Sequence, residues 1–368
     1  MFNELDHSYM QQAIELAKRG LYTASPNPRV GCLLLKDDQI IGRGWHHRAG
    51  LAHAEVDALN NCVADPRGAT AYVTLEPCSF YGKTPPCSEA LLSAGIDRLV
   101  VGSKDPNPRV DSLKTLKDAG VEVAEGCEEE QCKALNPGFF SRMQRKRPWV
   151  RVKMAMSLDG RTALANGVSQ WITSAHARAD VQRWRAQADC ILTGSGTVVD
   201  DNPQLTVRLS KEQFEEFGHG EVSQPLLAIA DTALKTPPQS VLFEAQRPVV
   251  LYTGVDSPDI EYTNGEIVSC ADPAGGVDLK VLLEDLATRE INEVHVEAGA
   301  ALCASLIKQQ LVDEVLLYVA PNVLGADAKA LFELGGFDSM DQRIEFEYKE
   351  ITQVGSDLRL RLMPKTAL

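Results

Sequence analysis

Short apolar runs alternate with helix-period segments along this chain, and the alternation stops once, at Pro148, before starting again. A pattern of that kind buries its strands beneath helices, as layered α/β domains do. Residues 8–19 put Met10, Ala13, Ile14 and Ala17 on one helix face. The runs 30–35 and 39–45, parted by Lys36-Asp37-Asp38, predict a hairpin. Next come an expected helix from His53 to about Asn61, strands over 69–75, 98–102 and 121–125, and helices over 112–119 and from about 128 to 145. Beyond Pro148, expected strands over 149–155, 189–194, 226–231, 249–253, 293–299 and 314–320 interleave with helices over 175–187, 278–290 and 300–310. Residues 344–363 read as an antiparallel pair turning at Gly355, while 202–225 and 254–266 read as polar loops. The expectation is two α/β domains, 1–147 and 148–368.

Charge limits the partners. A formal net charge of −14 repels a polyanion unless a strong basic patch exists. The dense basic cluster, Arg142, Arg145, Lys146 and Arg147, sits beside Pro148 and reads as a solvated helix end and linker. Neither a nucleic-acid nor a membrane partner is therefore expected, since no apolar run approaches the roughly 20 residues that span a bilayer. The N-terminus has no basic-then-apolar signal segment, which predicts a cytoplasmic protein. There, nine cysteines without regular spacing should be thiols or metal ligands.

Three of the metal-binding side chains fall in a telling pattern. His53-Ala54-Glu55 precedes Glu76-Pro77-Cys78, and Cys87 follows nine positions after Cys78. One imidazole and two thiolates suit Zn²⁺, and three protein ligands leave a fourth tetrahedral position open, the mark of a catalytic site. Zinc lowers the pKa of a water there towards ~7, and Glu55 is placed to carry its proton. His-x-Glu with Pro-Cys is the arrangement of zinc deaminases, in which a ring amino group leaves as ammonia. The alternative is a closed structural site with Cys32 or Cys62 as fourth ligand; it leaves the Glu beside the His and the Pro-Cys element without a purpose. A deaminase of free nucleosides or tRNA, or a zinc-stabilised binding protein, would share parts of this pattern. Turnover on cytidine tests the first, and any turnover counts against the last.

The second half carries weaker signals. Gly194-Ser195-Gly196 resembles the start of a dinucleotide loop, but Val199 stands where its third glycine belongs. Glu297-Ala298-Gly299-Ala300-Ala301 lies between a strand and a helix, where small residues permit either phosphate approach or close helix–sheet packing.

Longer motifs add to this. Pro26-Asn27-Pro28-Arg29-Val30-Gly31, His53-Ala54-Glu55-Val56, the long loop from Pro77 to Cys87 and Asp105-Pro106-Asn107-Pro108 mark the first half. Lys153 to Arg161, Ser169-Gln170-Trp171-Ile172-Thr173, Gly196-Thr197 and Asp201-Asn202-Pro203 mark the second. Together they resemble the bifunctional riboflavin-biosynthesis deaminase–reductase family over nearly the whole chain. The resemblance implies a cytidine-deaminase-like three-layer α/β/α domain followed by a dihydrofolate-reductase-like α/β domain. It further implies one Zn²⁺ per chain, NADPH, a phosphoribosylaminopyrimidine substrate and a homo-oligomer, dimer or tetramer. Zinc would be held by His53, Cys78 and Cys87, with Glu55 catalytic. Asn27, His46, Lys83, Thr84, Asp105 and Asn107 would contact the deaminase substrate. Lys83 and Thr84 offer a charge and a hydroxyl to its phosphate. Left to the residues alone, His46 could equally be a hydrogen-bonded surface histidine and Asn27 a turn former.

By the same carry-over, NADPH contacts would come from Ala155, Trp171, Thr197, Asp201, Thr232 and the turn Gly299, Ala300, Ala301, Leu302, Cys303, Ala304 and Ser305. Substrate contacts in this domain would come from Ser169, Arg185, Leu205, Arg208 and Glu297, with the two arginines suited to phosphate. Taken alone, Arg185 also fits a solvated helix position and Trp171 a core one. Lys153 and Asp159 are the candidates for a proton donor. One departure stands out: after Pro108 the family's Gly-x-Gly segment is replaced by Val110-Asp111-Ser112-Leu113, two residues shorter. Without glycine that loop cannot approach a ligand through bare backbone.

Overall fold

A computed structural model gives the fold and describes all residues except Met1, Lys83, Thr84, 211–222, Ser257, Pro258 and 366–368. It separates into two compact units, one built on Met1–Lys146 and the other on Arg147–Leu209 and Ser223–Leu368.

In the first unit, α1 (Glu4–Lys18) starts at a reciprocal cap between Asn3 and Asp6. The hairpin β1 (Gly31–Lys36) and β2 (Gln39–Trp45) leads to α2 (Ala54–Asn60), β3 (Thr70–Leu75), α3 (Cys87–Ala94), β4 (Arg98–Ser103), α4 (Ser112–Asp118) and β5 (Glu122–Glu125). The sheet runs β2-β1-β3-β4-β5, antiparallel around β1 and parallel from β3 to β5. Period-two alternation splits its side chains between two cores. Leu33, Leu35, Tyr72 and Val100 meet α1, whereas Cys32, Leu34, Val73 and Val101 meet α2, α3 and α4. Two glycines set how closely these layers approach. A Cβ on Gly31 would lie 2.0 Å from the Ala13 carbonyl oxygen, and one on Gly44 would lie 2.2 Å from the Ala58 nitrogen. The result is the expected three-layer arrangement.

The helix expected from 128 to 145 is two helices, α5 (Glu129–Ala134) and α6 (Pro137–Arg145). Pro137 opens the second, and Asn136 at the break is held elsewhere: it accepts from the Arg29 N–H at 2.7 Å and donates to the Arg29 carbonyl at 2.9 Å.

The second unit holds β6 (Trp149–Ser157), β7 (Arg161–Ala163), α7 (Ala175–Gln187), β8 (Cys190–Gly194), α8 (Ser195–Asp201), β9 (Leu226–Ala230), β10 (Val249–Thr253) and β11 (Gly265–Ser269). These are followed by α9 (Leu279–Thr288), β12 (Glu293–Val296), α10 (Ala300–Lys308), β13 (Glu314–Ala320), β14 (Lys329–Ala330), β15 (Phe346–Val354) and β16 (Asp357–Pro364). The nine-stranded sheet runs β11-β10-β9-β8-β12-β6-β13-β16-β15, parallel as far as β13 and antiparallel beyond. Leu282, Leu286, Leu306 and Ile307 from α9 and α10 cover one face; Ala177 and Val181 of α7 pack against Leu316 and Tyr318 on the other. Gly355, at φ 62°, makes the expected turn between β15 and β16. Strand β11 lies partly within the stretch 254–266 expected to be a loop, and α3 and α8 were not anticipated. The basic cluster divides as well: Arg147 is not solvated linker but pairs with Asp313 at 2.8 and 2.9 Å, and Asp313 also accepts from the Val150 N–H.

Candidate active sites

In the first unit, β3 ends at Leu75, and Glu76-Pro77 carries the chain to Cys78. His53 immediately precedes α2, and Cys87 opens α3. Two helix starts and one strand end thus bring three side chains together, with His53, Cys78 and Cys87 offering ligand atoms within 4.8 Å of one another. His53 Nδ1 is 3.3 Å from Cys87 Sγ and 3.6 Å from Cys78 Sγ. The Cys87 backbone N–H donates to Cys78 Sγ at 3.3 Å, and the helix start favours negative charge there. Hydrogen bonding from Cys87, then from His53, holds the Cys78 thiol well below its ordinary range. Cys32 lies in the core between sheet and helices, and the Cys62 thiol faces the Ala58 carbonyl at 3.5 Å, so neither joins the cluster as a fourth ligand.

Glu55 sits in the first turn of α2 and is 3 % exposed. Burial, with the Cys78 charge adding to it, pushes its carboxyl up to about 7. A carboxyl poised near neutrality both takes and gives a proton.

The surrounding residues are locked by hydrogen bonds. His46 is buried rather than a surface residue, and its ring stands edge-on to His53 at 5.1 Å. Ala52 carbonyl can only accept, so His46 Nδ1 donates to it (3.0 Å) and Nε2 accepts from Asn27 Nδ2 (3.1 Å). Burial lowers the His46 pKa to about 4, consistent with this neutral tautomer. Asn27 also takes part in a turn, its N–H reaching the Ala24 carbonyl, as a turn former would.

Asp105 accepts from the Asn107 N–H at 2.7 Å, and burial raises its carboxyl to about 7. The shortened loop after Pro108 closes without glycine. Asn107 accepts from the Arg109 N–H, Ser79 Oγ accepts from the Asp111 N–H, and the Arg109 guanidinium lies 4.4 Å over the Phe80 ring. The residue not singled out beforehand is Glu76. Its buried carboxylate accepts from Ser112 N–H and Oγ at 3.0 and 3.1 Å and from the Asp105 N–H at 3.4 Å. It thereby caps α4 and ties the Asp105 loop to the Cys78 turn; its place beside the Pro-Cys element was the available signal. Lys83 and Thr84 lie outside the described residues.

In the second unit several of the expected residues lie at or just past the ends of parallel strands, where open α/β sheets usually have their crevice. Gly194 closes β8 in register with Ala230 of β9, and the Glu297 N–H, just past β12, donates to Leu192 at 2.9 Å. Ala155 lies late in β6, Thr197 and Asp201 on α8, and exposed Thr232 just past β9. Gly299 precedes α10 and residues 300–305 form its first turns. A Cβ on Gly196, in the first turn of α8, or on Gly299, just before α10, would meet nothing within 4 Å, so open space lies beside both helix starts. Cys303 and Ala304, by contrast, are buried in the core and present no side chain to that space.

Ser169 and Trp171 lie between β7 and α7. Trp171 is 68 % exposed beneath the Arg178 guanidinium at 4.2 Å, so it is not a core residue. Nor is Arg185 solvated. It is buried, its Nη2 donates to Glu297 Oε2 at 2.9 Å, its Nε donates to Oε1, and its Nη1 donates to the Thr206 carbonyl at 2.9 Å. Two residues expected to touch substrate therefore hold each other. Leu205 is buried at φ 49°, and Arg208 is exposed with its N–H on Gln182 at 2.9 Å.

Asp159 is unsuited to proton donation. It accepts from Ser157 Oγ and from the N–H groups of Leu324 and Gly325, which hold its carboxyl down at about 2. Lys153 remains: burial disfavours its charged form, and its amine lies 5.9 Å from the Tyr318 ring centre.

Among the described residues no helix is long and apolar enough to cross a membrane. Residues 3–103 match the family model of the cytidine and deoxycytidylate deaminase zinc-binding region, and residues 148–360 match that of the RibD C-terminal domain. The riboflavin biosynthesis protein RibD of Escherichia coli (strain K12) is 43% identical over 364 residues, covering 97% of this chain and 99% of its own. Among solved structures, Acinetobacter baumannii RibD superposes with a TM-score of 0.88 at 42% identity, over 98% of this chain and 99% of that one. The Thermotoga maritima diaminohydroxyphosphoribosylaminopyrimidine deaminase/5-amino-6-(5-phosphoribosylamino)uracil reductase does so with 0.86 at 32% identity, over 98% and 99%. Zinc cluster, parallel-sheet crevice and end-to-end similarity agree: the chain belongs to the RibD family, bifunctional deaminase–reductases of riboflavin biosynthesis.

Proposed function

We propose that residues 1–147 deaminate 2,5-diamino-6-(5-phosphoribosylamino)pyrimidin-4(3H)-one and that residues 148–368 then reduce its ribosyl side chain to ribityl. The observation that carries the first half is the convergence of His53, Cys78 and Cys87 beside buried Glu55. One imidazole and two sulfurs within 4.8 Å are a donor set fitted to zinc, and these three residues would hold it. Zinc supplies Lewis acidity that makes water a nucleophile near neutral pH. Glu55 takes one proton of that water and delivers it to the ring nitrogen. It then takes the proton of the hydroxyl added to the ring carbon and gives it to the amino group, which leaves as ammonia as the carbonyl forms. Neutral His46, fixed by Asn27, and the Asp105–Asn107 loop, fixed by Glu76, form the wall that orients the base. Lys83 and Thr84 bind its phosphate.

In the second site, the open starts of α8 and α10 fit a dinucleotide's phosphates, which backbone N–H groups there would hold. NADPH supplies the hydride. Ala155, Trp171, Thr197, Asp201, Thr232 and, at the start of α10, Gly299, Ala300, Ala301, Leu302 and Ser305 line the cofactor. Ser169, Leu205, Arg208 and the Arg185–Glu297 pair orient the substrate, and Lys153 supplies the proton. A cytoplasmic location, a homo-oligomeric state (dimer or tetramer) and the lack of a nucleic-acid partner belong to the same reading; the net charge of −14 supports the last.

Supplying the diaminopyrimidine ribosylamino phosphate with and without NADPH tests this. Ammonia is released without NADPH, and NADPH is oxidised once it is added. NADPH oxidation with no ammonia release at any stage would overturn the order of the two steps.

A further inference from the structure

Strands β8, β12 and β6 lie side by side in parallel, and on their α7 side their side chains form two rows that are polar except for Ile191. Ile191, His295 and Arg151 share one row by register. Thr193, Glu297 and Lys153 stand two residues further along each strand, on the same side. Helix α7 covers this side, with Trp184 over the Arg151 guanidinium at 4.7 Å and Arg185 on Glu297.

His295 is the anomaly in this layer. It is fully buried, and among the described residues neither ring nitrogen has a hydrogen-bond partner. Its strand neighbours Val294 and Val296 face the opposite core, so His295 stands on the side that carries Arg151 and Glu297. A buried polar group retained without a partner calls for an explanation. Its surroundings supply one. His295 Nε2 lies 3.5 Å from Glu297 Oε1, just beyond the roughly 2.7–3.2 Å of a formed bond. Hydrogen bonds in active sites often run long without ligand and tighten when it binds.

Acceptor geometry agrees. A carboxylate offers about four acceptor positions and no donor. Arg185 occupies one on each oxygen of Glu297, leaving one for His295 and one for a ligand hydroxyl. Because Glu297 only accepts, the imidazole nitrogen facing it carries the proton. Burial, despite opposing attraction from Glu297, keeps the ring neutral, so it serves as a fixed donor rather than a charge.

We propose that His295 is a positioning residue of the reductase site, its Nε2–H fixing the Glu297 carboxylate from the sheet side while the ribosylamino substrate engages it. This rests on reading Glu297 as a substrate-binding group. The role belongs to Nε2 in particular, which separates it from mere space-filling.

The full-length protein tests it with two polar replacements. His295→Gln keeps an amide nitrogen near the Nε2 position, whereas His295→Asn reaches only as far as Nδ1. The expected result is a KM for the deaminated substrate within about twofold of the parent for Gln and raised about tenfold for Asn, equivalent to about 1.4 kcal/mol. KM for NADPH and the rate of ammonia release should be unchanged in both. An equal substrate KM in the two variants, or a failure of both to fold, overturns the proposal, as does a loss confined to KM for NADPH. A Glu297→Gln control distinguishes the other failure: if it leaves the substrate KM untouched, the reading of Glu297 is wrong whatever the His295 variants do.

Discussion

The two sites are built on opposite plans. The metal-binding cluster comes from a single stretch, residues 53–87, with each ligand at an element boundary. The residues assigned to the reductase site span positions 153–305 and come from several strands, helix starts and loops. In the first, chemistry resides in side-chain type, since few residues other than His, Cys and Glu can hold zinc and move a proton. In the second, much of it resides in backbone N–H groups, open space beside glycine and one buried ion pair. A compact site announces itself by spacing; a distributed one depends on what the fold brings together.

This contrast can be broken at three points, the largest effect first. Glu55→Gln removes the proton carrier and should lower ammonia release by about 1,000-fold, within the usual range for general acid–base groups. NADPH oxidation with the deaminated substrate should be unchanged. A parallel fall in both rates would mean that the two sites are not independent. Removing zinc with a chelator should give the same split, measured by the same two assays.

Arg185→Met probes the distributed site. It leaves Glu297 as a buried charge without its partner, which costs about 3–5 kcal/mol. Denaturant unfolding followed by tryptophan fluorescence should show the loss, because Trp149, Trp171 and Trp184 all lie in that unit. An unmoved midpoint would show that the pair is dispensable to the fold.

The smallest effect asks whether the compact site depends on distant contacts. Asp6 on α1 accepts from Arg98 on β4 and from Tyr72 on β3, each at 2.8 Å. Arg98, above all, holds the Asp6 carboxyl down at about 2 against an ordinary value of 3.8. A carboxyl lowered in the folded state stabilises above its unfolded pKa. That contribution should be complete above about pH 4 and fade as pH falls towards 2. Asp6→Asn should cost about 1 kcal/mol at neutral pH and flatten the acid limb of the stability profile. An identical limb in parent and variant would remove Asp6 from the account.

Much of the fold is legible in the sequence because burial imposes period. Met10, Ala13, Ile14 and Ala17 all lie in the α1 core contact, and Gly355 turns as its type suggests. The misses share a cause. The break at Asn136 depends on Arg29, 107 residues away, and the pairing that makes β11 a strand depends on β10. Such contacts leave little local trace. The same holds for the loop after Pro108. It lacks the glycines expected there, yet Ser79 and Phe80 close it from another segment.

By itself, then, the sequence determined the alternation of strands and helices, the break at Pro148, and the spacing of His53, Cys78 and Cys87, a set that could hold a metal ion. Each of these depends on residue type and spacing over a few tens of positions. Tertiary structure alone decided that Arg185 binds Glu297, that Glu76 tethers the Asp105 loop, that Asp159 is committed to a turn, and that His295 lies fully buried 3.5 Å from the Glu297 carboxylate. Those facts depend on which strands are neighbours and which side of the sheet each residue takes. They come from packing one sheet under its helices, where groups far apart in the chain share one low-dielectric space.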